Sequence, residues 1–178
     1  MIFNGVMGVV GATAGWVLKI GSPGGFTLFW ASIAALALVG SFLLMRRQAI
    51  RESEPFWSPP TRRIAHAMLP AVFVGMVAGL LAAFCSGWNF VQPWGLPALW
   101  MLLYGCALNA AGFFMARGIK LLGWLFVLCG CGLMASRCCA DGPLALIQCH
   151  QVMGAVFGGL HLAYGVYLYF TEQRRNET

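Results

Sequence analysis

Residues 96–135 read LPALWMLLYGCALNAAGFFMARGIKLLGWLFVLCGCGLMA, two apolar runs separated by the basic corner Arg117-Gly118-Ile119-Lys120. In lipid every backbone polar group has to be satisfied within its own segment, so charge-free runs of this length read as helices. The stretch is therefore expected to be a transmembrane helical hairpin with its turn at a membrane surface.

The whole chain agrees with that reading. Of 178 residues 60% are apolar and only 9% are charged, against about a quarter charged in soluble domains. Mean hydropathy is +0.79. Runs of this kind would leave more apolar surface in water than a fold of this size can bury. The net charge of +6 is accounted for by topology, so no nucleic-acid partner is implied.

Upstream of the hairpin, Ile2 to Ile20 is apolar with Gly5, Gly8, Gly11 and Gly15 along one side, which allows a neighbouring helix to approach closely. Ala12-Thr13-Ala14 resembles a signal-peptide cleavage site, but no positive segment precedes it, and a retained first span is expected. Ser22-Pro23-Gly24-Gly25 is a turn signal. Phe26 to Met45 is the second span, and Arg46-Arg47 stops it. Residues 46–63 carry Arg46, Arg47, Arg51, Arg62 and Arg63 with Glu52 and Glu54, and Pro55, Pro59 and Pro60 make a surface loop the expected form. Ile64 to Cys85 is the third span, with Gly75 and Gly79 at GxxxG spacing. Trp88 and Trp94 serve as interfacial anchors in the next loop.

The hairpin supplies spans four (Leu96 to Ala116) and five (Ile119 to Ala135). A polar turn holding Cys138, Cys139 and Asp141 leads to the sixth span, Pro143 to Phe170, and a charged tail. The expected fold is an all-α, polytopic bundle of six spans. It divides into a first hairpin (1–45), a basic loop (46–63), a four-helix core (64–170) and a tail (171–178). Nine Lys and Arg lie on the side of the loop, the Arg117/Lys120 corner and the tail. The other side has Lys19 and Arg137. By the positive-inside rule both termini are cytoplasmic.

On the sixth span Gly154, Gly158, His161 and Gly165 are spaced four, three and four and share a helix face. On the fourth, Gly105, Asn109 and Gly112 are spaced four and three. The depths of Asn109 and His161 match, so the two spans are expected to pack through these faces, with Asn109 and His161 hydrogen-bonded. The alternative is that each polar group meets a backbone carbonyl or a hydroxyl. Placing His66 and His161 in one half of the bilayer makes them candidate ligands of a haem b. His150 opens the sixth span on the outer side, where a hydrated surface histidine is expected.

Cys85, Cys138, Cys139 and Cys149 lie on the outer side and are disulfide candidates. Cys106, Cys129 and Cys131 read as apolar packers. There is no CxxC motif for thiol exchange, and the acids Glu52, Glu54, Asp141, Glu172 and Glu177 all lie outside the spans. No metal centre and no enzyme activity are expected.

PALWMLLYGCALNAAGFFMARGIKLLGW together with GLHLAYGVYLYFTEQRR resembles an uncharacterised bacterial six-span membrane-protein family. Its members share an LW-LLYG fourth span and a GLH-x-x-x-G final span, and are often encoded near winged-helix regulators. The resemblance singles out Trp100, Tyr104, Gly105 and His161, with Tyr104 joining Asn109 and His161 as a polar intramembrane position. It implies an inner-membrane protein with a regulatory or accessory role. This chain lacks the family's longer polar amino-terminal segment.

The expected function is a non-enzymatic accessory, sensor or structural subunit. It would act through helix contacts with the lipid bilayer and either a membrane-protein partner or further copies of itself, with Gly75 and Gly79 as an assembly face. The alternatives are a homo-oligomeric small-solute channel or carrier, and a haem-binding electron carrier using His66 and His161.

Overall fold

The computed structural model describes residues 1–51, 53, 55–85, 94–115, 118–139 and 144–176, with backbone alone at 138 and 172–176. Trp88, Arg117, Asp141, Glu52, Glu54 and the side chains of Cys138 and the charged tail lie outside the described residues. All regular structure among the described residues is helical: α1 (Ile2–Val17), α2 (Pro23–Arg51), α3 (Pro59–Phe84), α4 (Gly95–Ala111), α5 (Gly118–Cys138), α6 (Leu146–Met153) and α7 (Leu160–Asn176). A π-helical segment, Gly154–Gly159, joins α6 to α7.

Pro23–Arg51, Pro59–Phe84, Gly118–Arg137 and Leu146–Thr171 are long and apolar enough to cross a membrane. Six spans were the expectation. The remaining two helices, α1 and α4, are apolar but only 16 and 17 residues long, about 24 to 26 Å at 1.5 Å per residue. On the long helices apolar side chains face outward. Leu36, Leu38, Val39 and Leu43 of α2 and Val72, Phe73, Val74 and Met76 of α3 are each at least half exposed. In water this would be an oversized apolar patch; lipid makes it an ordinary surface.

Three expected boundaries move. α2 runs on through Arg46 and Arg47 to Arg51, because charges end an apolar run without ending a helix. α3 begins at Pro59, where a first-turn proline gives up only an amide that would be unpaired anyway. The expected loop at 46–63 is thus mostly helix. α4 stops at Ala111 rather than Ala116, where Gly112 lies under the Lys120 stem and Lys120 Nζ sits 3.6 Å over the Phe113 ring.

Missing side chains set two close helix approaches. In the first, α1 runs antiparallel along the last rod, formed by α6, the π segment and α7: Gly5 meets Leu162, Gly8 meets the backbone of Gly158, Ala12 meets Gly154 and Gly15 meets His150, while Gly165 meets Ile2. In the second, Gly105 of α4 meets the Gly123 carbonyl and Val127 of α5. The expected pairing of α4 with the last span through their glycine faces is therefore corrected. Gly154, Gly158 and Gly165 face α1, and Gly105 and Gly112 face α5. A spacing pattern defines a face but not its partner. Gly75 and Gly79 also face inward, covered by Trp100, whose indole would lie 3.1 Å from a Cβ at Gly79.

The π segment fits the first approach. Positions 150, 154, 158 and 162 contact α1 at a constant four-residue step, and in an α-helix such a step overshoots a full turn by about 40°. The wider i→i+5 turn at 154–159 falls short of a full turn instead, so it cancels the drift and keeps the row on α1.

Alanine at Gly8 would put a Cβ 2.8 Å from the Gly158 backbone, whereas one at Gly132 would meet none of the described residues within 4 Å. Gly8→Ala should lose about 1–3 kcal/mol. Gly132→Ala should be neutral or gain up to about 1 kcal/mol. Thermal unfolding of both variants in detergent checks the contrast.

Candidate functional site

Two buried imidazoles on the last rod organise the polar interior. The first is His150, fully buried despite the expectation of a hydrated surface histidine. Its burial comes from the α1–α2 turn, which folds over it. Lys19, at φ 52, reverses the chain in the left-handed conformation. The Lys19 amide then bonds to the Trp16 carbonyl and the Ile20 amide to the Gly15 carbonyl, the Schellman pattern that ends a helix. This turn aims the Ile20 carbonyl at His150 Nε2, 3.0 Å away. On the other side of the ring Trp30 Nε1–H of α2 donates to His150 Nδ1 at 3.0 Å. Phe26 and Phe29 pack on the ring with centroids at 4.8 and 5.7 Å. Gly15 leaves the room the ring needs.

An indole N–H can only donate and a carbonyl can only accept. The hydrogen of the His150 ring therefore sits on Nε2, toward the Ile20 carbonyl, and Nδ1 accepts from Trp30.

The second imidazole is His161, 4% exposed, in an aromatic box with Phe126 and Phe157. Its Nδ1 donates to the Phe157 carbonyl at 2.6 Å. Nε2 then accepts from the Tyr104 hydroxyl at 2.8 Å, which joins the last rod to α4. His161 is thus the opposite tautomer from His150.

The other expected site residues separate. Asn109 does not meet His161: its Nδ2 donates to the Gly105 carbonyl at 3.0 Å and lies against Gly123 of α5. That is the backbone-carbonyl alternative. Because the rod's glycines face α1, α4 presents Tyr104 rather than Asn109 to His161. His66 is exposed on α3, and with both His161 nitrogens engaged an iron could reach His161 only by displacing Tyr104 or the Phe157 carbonyl. Cys85 and Cys139 are free, exposed thiols. Cys149 is fully buried beside His150, and any bond through Cys138 lies outside the described residues.

Sequence reasoning missed His150, Trp30 and the Ile20 carbonyl. The available signal was Gly15, which closes the α1 glycine row one turn before the chain reverses and clears space for something bulky.

Trp100 completes the set, its Nε1–H donating to the Gly75 carbonyl at 3.0 Å and linking α4 to α3. No family model, curated protein or solved structure matches this chain.

Trp30→Phe and Tyr104→Phe each leave a buried imidazole nitrogen unpaired and should cost about 1–3 kcal/mol. Each loss should shrink when the paired histidine is also replaced by Leu, as a double-mutant cycle in detergent would measure. Nitrogen-15 NMR of histidine-labelled protein should find one Nε2–H and one Nδ1–H buried ring; two rings of the same tautomer would contradict the assignment.

Proposed function

We propose that the chain is a bacterial inner-membrane protein acting as an accessory, sensor or structural subunit through helix contacts, not as an enzyme. The carrying observation is that all four nitrogens of the two buried imidazoles are bonded to groups of the chain itself. An imidazole that binds metal or moves protons needs a nitrogen to offer. These two instead work as struts between helices, as does Trp100. The nine-to-two distribution of Lys and Arg supports cytoplasmic termini. A six-span count follows if the short α1 and α4 cross along with the four long helices.

Room for a helix from outside supports the contact role. Among the described residues, nothing lies within 4 Å of a Cβ added at Gly132 of α5 or Gly159 of the π segment. Gly159 lines an open groove of about 510 Å³ between α1 and the last rod, with Ala12, Thr13, Ala155 and the exposed Gln151. Small residues flanked by a polar amide are what a docking transmembrane helix uses.

A photo-crosslinking residue at Ala155, activated in intact cells before extraction, should give a discrete adduct with a second protein or a second copy. Monomer alone after irradiation, a Soret band in the purified protein, or solute flux through reconstituted vesicles would each overturn this reading.

A further inference from the structure

The end of the molecule where α2 passes into α3 carries five arginines. The charge-free run of α2, Phe26 to Met45, covers about 30 Å, the thickness of a hydrocarbon core. The helix continues past it through Arg46, Arg47 and Arg51. α3 is its antiparallel neighbour, with Gly24 of α2 against the Ala83 carbonyl and Thr27 against Gly79. It brings Arg62 and Arg63 to the same end, just before its own apolar run from Ile64.

Five guanidiniums, all exposed, thus collect just past the apolar runs of the two helices. Residues 46–63 contain only two acids, Glu52 and Glu54. Were both paired with arginines, three guanidiniums would still be left over. The connection is also fastened down: Phe56 packs edge-on against Phe42 of α2, centroids 4.7 Å apart. Beside it Trp57 is 57% exposed, an amphipathic ring suited to the headgroup layer.

We propose that this end is a binding surface for anionic phospholipid headgroups, with arginines on the phosphates and Trp57 at the headgroup boundary. The complementarity is one of charge and shape, since a guanidinium fork matches two phosphate oxygens where an ammonium offers a point charge. Each arginine close to an anionic surface contributes about fivefold to association. The other end of the molecule, with Lys19 and Arg137 alone, has no such collection. The inference rests on α2 and α3 crossing the bilayer and is independent of any protein partner.

The test incubates the full-length protein, in mild detergent, with equal amounts of phosphatidylglycerol and phosphatidylcholine and counts retained lipids by native mass spectrometry. Wild type should keep phosphatidylglycerol about fivefold or more over phosphatidylcholine. The preference should collapse in 0.5 M NaCl, where the screening length is roughly 4 Å. Arg62→Gln/Arg63→Gln should lower phosphatidylglycerol retention about twenty-five-fold, two such contributions. Lys19→Gln/Arg137→Gln, with the same change in net charge, should leave it unchanged.

No headgroup preference in wild type, equal losses in both variants, or displacement of the lipid by millimolar inorganic phosphate would each overturn the proposal. Should Arg62→Gln/Arg63→Gln fail to insert, the wild-type lipid comparison and salt titration decide. Release of the protein from membranes by alkaline carbonate would be a different failure, that of the spanning reading itself.

Discussion

Backbone-to-backbone contact between α1 and the last rod is the constraint from which the remaining arrangement follows. Lipid gives apolar helices no reason to leave it for one another, so association has to come from close packing and interhelical hydrogen bonds. Gly8 against Gly158 and Ala12 against Gly154 supply the first. The second depends on it: only with α1 that close does the turn after it reach over His150, and only then can the Ile20 carbonyl meet Nε2. The π segment belongs to the same device, since it holds the row of contacts on one side of the rod.

Around that seam, four links among the described residues pair a side-chain donor on one helix with an acceptor on another. Trp30 reaches His150, Tyr104 reaches His161 and Trp100 reaches the Gly75 carbonyl. The Ser41 hydroxyl donates to Asn4 at 2.7 Å and ties α1 to α2. An aromatic side chain with one polar atom suits this use, because its ring fills the gap that a glycine opens while its tip finds a partner. The core of Phe26, Met101, Leu122, Phe126 and Met153 then fills the remaining space.

The helical, lipid-exposed character was legible because a charge-free run of about 20 residues matches the hydrocarbon thickness and has no polar face to turn toward water. Helix ends were less so. Arg46-Arg47 looks like a stop and Pro59-Pro60 like a break, yet a charge leaves helical hydrogen bonds intact and a proline at the first turn costs none. Helix pairing was hardest. Gly154, Gly158 and Gly165 announce a smooth face, but any equally smooth helix could lie on it, and the spacing assumes an α-helix where a π segment intervenes. His150 was misjudged for a related reason. Its position near the start of a span says surface, and its burial is decided 130 residues earlier in the chain, by how the turn at Lys19 reverses.

The shortness of α1 has a consequence for the membrane around it. α1 lies alongside Leu146–Thr171, yet at 16 residues it reaches about 24 Å, some 6 Å less than a typical hydrocarbon core. Val6, Val9, Val10 and Val17 are exposed along it, so if α1 crosses the bilayer the acyl chains on that flank have to shorten to match. The cost is a fraction of a kcal/mol for each Å of mismatch, and it is relieved wherever the bilayer is already thin or a similarly short surface adjoins. A crossing α1 would thereby give the protein a preference for membrane thickness on that flank.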